Sequence, residues 1–309
     1  MKVNKPKFWD RTYPTFLSIV LWPLSFLYEI FISLKKSFSN KKNFSVPIIC
    51  VGNIYIGGTG KTPISIKIFD MFKSEKRPII IKKNYENQKD EVELIKKYSK
   101  VLVCKERDVG INRAIEKKLD LIILDDGYQD HSIKKNLNIV CFNSKQKIGN
   151  GQTLPSGPLR ENLSSLKMCN LVLINGRRDV EFEEKLKKYN FGLKFFYFSY
   201  YLKNPNEFKN RKLIAFAGIG NPENFFDLLK INRLNVIEEI NFPDHYNYSE
   251  KELEKLTDLE KKYGAKLVTT EKDYLRINSI YRRKFGVIPV KVKIDREEDF
   301  FEFTKKFIK

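Results

Sequence analysis

Cysteine is scarce: four in 309 residues, at Cys50, Cys104, Cys141 and Cys169, with no CxxC pair and no zinc-like spacing. That argues against a disulfide framework or a thiolate metal centre and expects reduced, mostly buried thiols in a cytosolic protein. Acidic residues are also in short supply, 38 Asp and Glu against 58 Lys and Arg, a formal charge of +20. Such an excess expects an anionic partner: nucleic acid, an acidic membrane surface or a phosphorylated substrate. The lysines are dispersed rather than gathered in one tract, which counts against a nucleic-acid-binding arm. No internal repeat or low-complexity segment is present, so a repeat architecture is not expected.

Long apolar runs are absent with one exception, "FLSIVLWPLSFLYEIFISL" at residues 16–34. It is long enough to span a bilayer marginally. Pro23 and Glu29 interrupt it, and basic residues flank both ends (Lys2, Lys5, Lys7, Arg11, then Lys35, Lys36, Lys41, Lys42), giving no orientation bias. The run is too long, and lacks a small-residue site after it, for a cleaved signal peptide. The expectation is a helix lying at the membrane interface, with Trp9 and Trp22 as anchors and lysines toward anionic headgroups. A core helix and a true span are the other readings.

From residue 47 the pattern alternates strand and helix. "PIICVGN" reads as a strand, "IYIGGTGKTP" as a loop opening a helix, and "RPIIIKK", "KVLVCK" and "LDLIILDDG" as further strands. The last is apolar throughout, as a strand buried on both faces of a parallel sheet would be. The strict phosphate-loop pattern would need glycine where Tyr55 stands. Its physics survives, because Gly57, Gly58, Thr59 and Gly60 allow a tight turn whose N–H groups face an anion at a helix start. Lys61 would then reach the β and γ phosphates of a nucleotide, and Thr62 would ligate magnesium. Asp125 and Asp126, at the end of the apolar strand, read as the acidic half of the same site. "IGNGQTLPSGPLREN" is a long loop that could close over it, Arg160 offering positive charge and Glu161 a polar or metal-linked contact.

Further along, "FFYFSYYLKNPNEFKNRKLIAFAGIG" reads as an aromatic hairpin turning at Asn204-Pro205, with a domain boundary near 205. Beyond it "VIEEINF", "AKLVTTEKD" and "VIPVKVKI" read as strands, and "SEKELEKLTDLEKKYG" as a helix with a Ser cap and a glycine stop.

Several stretches together resemble one family, the lipid A disaccharide 4'-kinases: "GNIYIGGTGKTP", "LDDGYQD", "GNGQTLPSGPLRE", "AFAGIGNPENFF", "FPDHYNYS" and "TEKD", in that order and spanning nearly the whole chain. The resemblance implies a P-loop NTPase-like three-layer α/β domain (residues 43–204), preceded by an N-terminal membrane-associated helix (1–42) and followed by a smaller α/β domain (205–309). It implies a kinase using ATP and Mg2+ to phosphorylate the 4' hydroxyl of a tetraacyl glucosamine disaccharide 1-phosphate. It also implies an anionic glycolipid and a membrane surface as partners, no nucleic acid, a monomer, and a peripheral place on the cytoplasmic face of the bacterial inner membrane.

The same resemblance makes Asp90 of "KDEV" the catalytic base, with Glu91 as the alternative, and His245 of "FPDHY" its partner. Gln129, Arg107, Arg160 and Glu161 are further site candidates. Departures gather around the base: the family's Arg-Gly-Tyr reads Lys83-Asn84-Tyr85, and Lys89 and Val92 replace Gly and Pro. Asp90 and His245 fall in different expected domains, so closure is expected to bring them together. The competing reading is a nucleotide-gated ATPase that binds membrane or nucleic acid.

Overall fold

The computed structural model describes residues 5–85 and 88–308, so Lys2 of the N-terminal basic flank lies outside the described residues. In chain order the elements are α1 (Phe16–Ser37), β1 (Ile48–Gly52), α2 (Lys61–Phe72), β2 (Pro78–Lys83), α3 (Lys89–Tyr98), β3 (Val101–Cys104), α4 (Arg107–Glu116) and β4 (Leu121–Asp125). Then follow β5 (Leu137–Asn143), β6 (Leu171–Asn175), α5 (Val180–Lys187), β7 (Lys194–Leu202), β8 (Lys212–Ala217), α6 (Pro222–Ile231) and β9 (Asn235–Asn241). The chain ends with α7 (Glu250–Tyr263), β10 (Lys266–Thr269), α8 (Glu271–Arg276), α9 (Ser279–Arg282), β11 (Gly286–Val287), β12 (Val290–Ile294) and α10 (Glu297–Lys305).

Two compact units result, the first from residues 1–84, 99–199 and 294–309, the second from 85–98 and 200–293. The sequence reading drew its boundaries at 42 and 204. By contacts, helix α3 goes with the second unit and the C-terminal helix with the first.

An eight-stranded sheet runs in the order β12-β7-β6-β5-β1-β4-β2-β3. Strands β1 and β4 are buried along their whole length, as apolar strands covered on both faces must be. Parallel pairing sets Val51 beside Asp125 on one side, and Lys82 beside Asp125 on the other. The loop leaving β1 therefore emerges next to the acidic end of β4, at the edge where parallel sheets bind ligands. All four cysteines are buried, and burial pushes the Cys169 thiol up to about 12, leaving it unreactive.

Helix α1 is inside out. Its polar residues Ser18 and Ser25 are buried, while Phe16, Leu17, Ile19, Val20, Trp22, Leu24, Phe26, Leu27, Phe31 and Leu34 are exposed. The inward stripe docks on the glycine- and proline-rich loop of the same unit. Ser25 Oγ donates to the Thr153 carbonyl (2.9 Å) and accepts from the Ser156 N–H (2.9 Å). Thr153 Oγ1 donates to Glu29 (2.9 Å), and Tyr28 donates to the Arg160 carbonyl (3.0 Å). The helix runs unbroken through Pro23.

The second unit holds a four-stranded parallel sheet, β11-β10-β8-β9, with apolar clusters on both faces. Three expectations are corrected here. Strands β7 and β8 belong to different sheets, so the chain at Asn204-Pro205 makes a 3-10 turn rather than a hairpin. Pro289, which lacks a ladder donor, splits "VIPVKVKI" into β11 and β12 of different sheets. "TEKD" is not strand: Thr270 caps α8, its hydroxyl accepting from the Asp273 N–H, so Glu271 and Asp273 ride on a helix. The cap and stop of α7 are as expected, with a capping box at Ser249 and Gly264 ending it.

Candidate active site

The loop between β1 and α2 turns on two glycines in the left-handed region, Gly57 (φ 117) and Gly60 (φ 90). A side chain at either would be strained, and Gly57 has open space where its Cβ would be. Asn53 anchors the loop from below, its amide donating to the Tyr55 and Gly57 carbonyls, and Gln129 Nε2 donates to the Asn53 carbonyl (2.8 Å). Thr59 Oγ1 is buried with no hydrogen-bond partner among the described residues, a donor left over inside a loop of N–H groups.

Lys61 and Thr62 open α2. Thr62 Oγ1 donates to Asp125 Oδ2 (3.1 Å), and Ser65, one turn on, donates to Asp125 Oδ1 (3.0 Å). Lys82 Nζ sits 2.8 Å from Asp125 Oδ2, both side chains being buried. Asp126 takes a left-handed conformation (φ 55) and turns its carboxylate to Arg160 Nη1, 3.1 Å from each oxygen, and to Lys61 Nζ, 3.7 Å away. Burial alone would raise the Asp126 pKa; the Lys61 and Arg160 charges outweigh it and hold the group below the ordinary carboxylate range. Arg107 braces the same turn, donating to the Asp126 carbonyl (2.6 Å) and pairing with Asp130 (3.2 Å). Glu161 is paired with buried His131, 3.0 Å from its Nε2.

A second cluster lies in the second unit, at the carboxyl end of β8. Asp90, near the start of α3, is buried. Its Oδ2 takes Arg276 Nη2 at 2.5 Å and Nε at 3.1 Å, and its Oδ1 lies 3.5 Å from His245 Nδ1. His245 adopts a left-handed conformation (φ 55) and donates its N–H to the Gly218 carbonyl (3.1 Å), which also accepts from Arg276 Nη1 (2.6 Å). Asp273 supports both, accepting from the Gly218 N–H (3.0 Å), Tyr248 (2.9 Å) and Arg276 (3.1 Å). Burial raises the Asp90 pKa, but the His245 hydrogen bond and the Arg276 charge overcome it and set the carboxyl at about 2. Glu91, the alternative base, is instead paired with Lys272 (2.7 Å).

A cationic phosphate-type loop beside strand-end carboxylates has the make-up of a site that binds a phosphorylated ligand. Residues 17–309 match the family model described as tetraacyldisaccharide-1-P 4'-kinase. This chain belongs to that family. A tetraacyldisaccharide 4'-kinase of Pelagibacter ubique is 40% identical over 315 residues, covering 100% of this chain and 98% of that protein. One of Rickettsia bellii is 32% identical over 295 residues, 90% of each chain. Among solved structures, LpxK from Aquifex aeolicus in complex with ATP matches with a TM-score of 0.72 and 27% identity, over 95% of this chain and 100% of that one.

In this member of the tetraacyldisaccharide-1-P 4'-kinase family, Lys61, Thr62, Asp125, Asp126 and Arg160 come together as one group. Asp90 and His245 meet within one compact unit. The expectation that domain closure must unite those two is therefore corrected: α3, although it precedes β3 in the chain, goes with the second unit. Gln129 and Arg107 contact backbone of the loop and of the acidic turn, and Glu161 contacts His131. Sequence reasoning missed Arg276 and Lys82. Arg276 stands one helical turn after Asp273 of "TEKD", a spacing that could have drawn attention to it.

Proposed function

We propose that this chain transfers the γ-phosphate of ATP to the 4' hydroxyl of a tetraacylated glucosamine disaccharide 1-phosphate. The observation that carries the reading is the family match over residues 17–309, supported by a nucleotide-type loop with its cations in place. Polyphosphate fits the loop: Gly57 leaves room, Thr59 Oγ1 has no partner among the described residues, and Lys61 and Arg160 already grip an anion, the Asp126 carboxylate. Those cations exchange a carboxylate for phosphate when nucleotide enters.

Magnesium also fits. The Thr62 hydroxyl with the Asp125 and Asp126 carboxylates is an all-oxygen donor set of the kind a hard cation takes, directly or through water. When bound, the ion would neutralise charge on the β and γ phosphates. The chain's own residues do the remaining work: Lys61 and Arg160 hold the transferring group, and Asp90, steadied by His245 and Arg276, accepts the hydroxyl proton.

The exposed apolar side of α1 supports a peripheral location on a membrane, the proposed side being the cytoplasmic one where ATP is present, and the basic charge suits an anionic glycolipid. Transfer of labelled γ-phosphate to tetraacyl disaccharide 1-phosphate in detergent micelles, with the product mapped to the 4' position, tests the reading. Label on the lipid is expected. ATP hydrolysis with no lipid product would replace the kinase with a surface ATPase.

A further inference from the structure

Away from the glycine loop, a cavity of about 560 Å³ lies between α5 and the start of β7. Phe195 and Tyr197, alternate residues of β7, turn to the same side of the sheet and form its apolar floor. Phe196, between them, packs against Phe300 of α10 on the other side. Strand β7 is third in the sheet from β1, so about 14 Å of sheet separates the cavity from the strand that feeds the glycine loop.

The wall of the cavity is built around Glu183 of α5, whose side chain is 8% exposed. Its hydrogen bonds fall on one oxygen: Oε1 accepts from the Tyr197 hydroxyl (2.8 Å) and from Arg178 Nε (3.2 Å). Oε2 accepts none among the described residues, an uncommon state for a buried carboxylate oxygen. Arg178 meets Glu183 through Nε, and its Nη1 and Nη2 have no partner among the described residues. A guanidinium held by its Nε presents those two nitrogens as a fork, the geometry that grips two oxygens of a phosphate. Lys194 and Arg296 add positive charge to the rim, which Asp295 shares.

We propose that this cavity is an accessory site for a small phosphate monoester carried on a ring. The phosphate takes the Arg178 fork, the ring lies on Phe195 and Tyr197, and a ring N–H or O–H donates to Glu183 Oε2. The cavity has the size of a small-ligand cleft. A nucleoside monophosphate and a hexose phosphate both carry this chemistry. The inference is independent of the nucleotide reading above, because every residue it uses lies outside the glycine loop.

Equilibrium dialysis of the full chain against labelled AMP and, separately, labelled glucose 6-phosphate tests it, with inorganic phosphate as control. At least one ester is expected to bind with a Kd below about 1 mM, and inorganic phosphate about tenfold more weakly for want of a ring. Binding of AMP alone makes this a nucleotide site, of glucose 6-phosphate alone a sugar phosphate site, and of both a site that reads only what they share. Arg178→Gln alters a side chain that is 72% exposed, so the variant folds. It should weaken ester binding on the order of tenfold, as loss of a charged hydrogen-bonding group does. Lys61→Ala, in the glycine loop, should leave that binding within about twofold of the parent. The proposal is overturned if neither ester binds at about 1 mM, or if inorganic phosphate binds as tightly as the esters. It is also overturned if every ester that binds either survives Arg178→Gln or is lost in Lys61→Ala.

Discussion

At about 2, the pKa of Asp90 is low for the proposed proton acceptor, and the residues around it explain the value. Burial would push the carboxyl up, yet His245 and Arg276 together pull it well down. The group is therefore ionised at any physiological pH, and its Oδ2 is spent on Arg276 while Oδ1 lies toward His245. Because the folded value lies below the unfolded one, the pairing stabilises the fold above about pH 4 and this stability is lost as pH falls toward 2, about 2 kcal/mol in all. Arg276→Met removes the guanidinium and leaves burial less opposed. We expect the Asp90 pKa to rise by about two units or more, bringing into the acid limb of the kcat profile a titration that the parent lacks above pH 4. A parent-like acid limb in Arg276→Met would show that Arg276 does not set this carboxyl. At this scale the glycine loop and the strand-end acids were legible, because their chemistry demands particular residue types at particular spacings. Arg276 and Lys82 were not. Each is one cation among 58, distinguished by a position that tertiary packing alone supplies.

Element by element, the strands of the first sheet could be read because they are continuous apolar runs between turn residues. The segments misread were those where a local rule is decided by what the backbone meets next. "AKLVTTEKD" is apolar enough to begin a strand, but the Thr270 hydroxyl caps a helix and ends it. The stretch from β7 to β8 alternates like a hairpin, yet its two strands join different sheets. Helix α1 is the instructive case, since composition gave its apolar character and could not say which side faces inward. Its polar stripe does. Ser25 makes two hydrogen bonds to the loop that carries Arg160, so α1 is fastened to the segment that feeds the nucleotide site. Ser25→Leu should lower stability by about 2–4 kcal/mol, from two buried backbone groups left unpaired plus overpacking. Nucleotide affinity should fall as well, as the Arg160 loop loosens. Thermal melts with and without ATP analogue check this; a destabilised protein whose nucleotide affinity is unchanged would mean the helix is fastened to the loop without influencing the site.

Across the whole molecule, an excess of 20 positive charges, an outward apolar helix and two clusters of chemically active residues support the proposed enzyme, one that would meet an anionic lipid at a surface. The order of motifs along the chain made the fold class and the family legible before any coordinates. The grouping of α3 with the second unit was not legible, because chain order places it between strands of the first. That grouping bears directly on mechanism, since it puts Asp90 and His245 in one unit. The most direct test of the account is Asp90→Asn, assayed for ATP-analogue binding and for single-turnover transfer to the lipid. Asn keeps the shape of the side chain and an acceptor oxygen for Arg276 but is a far weaker proton acceptor. The account predicts nucleotide affinity within about threefold of the parent and transfer slowed by at least about a hundredfold, the scale of a lost general base. Near-normal transfer would contradict it and remove Asp90 from the chemistry.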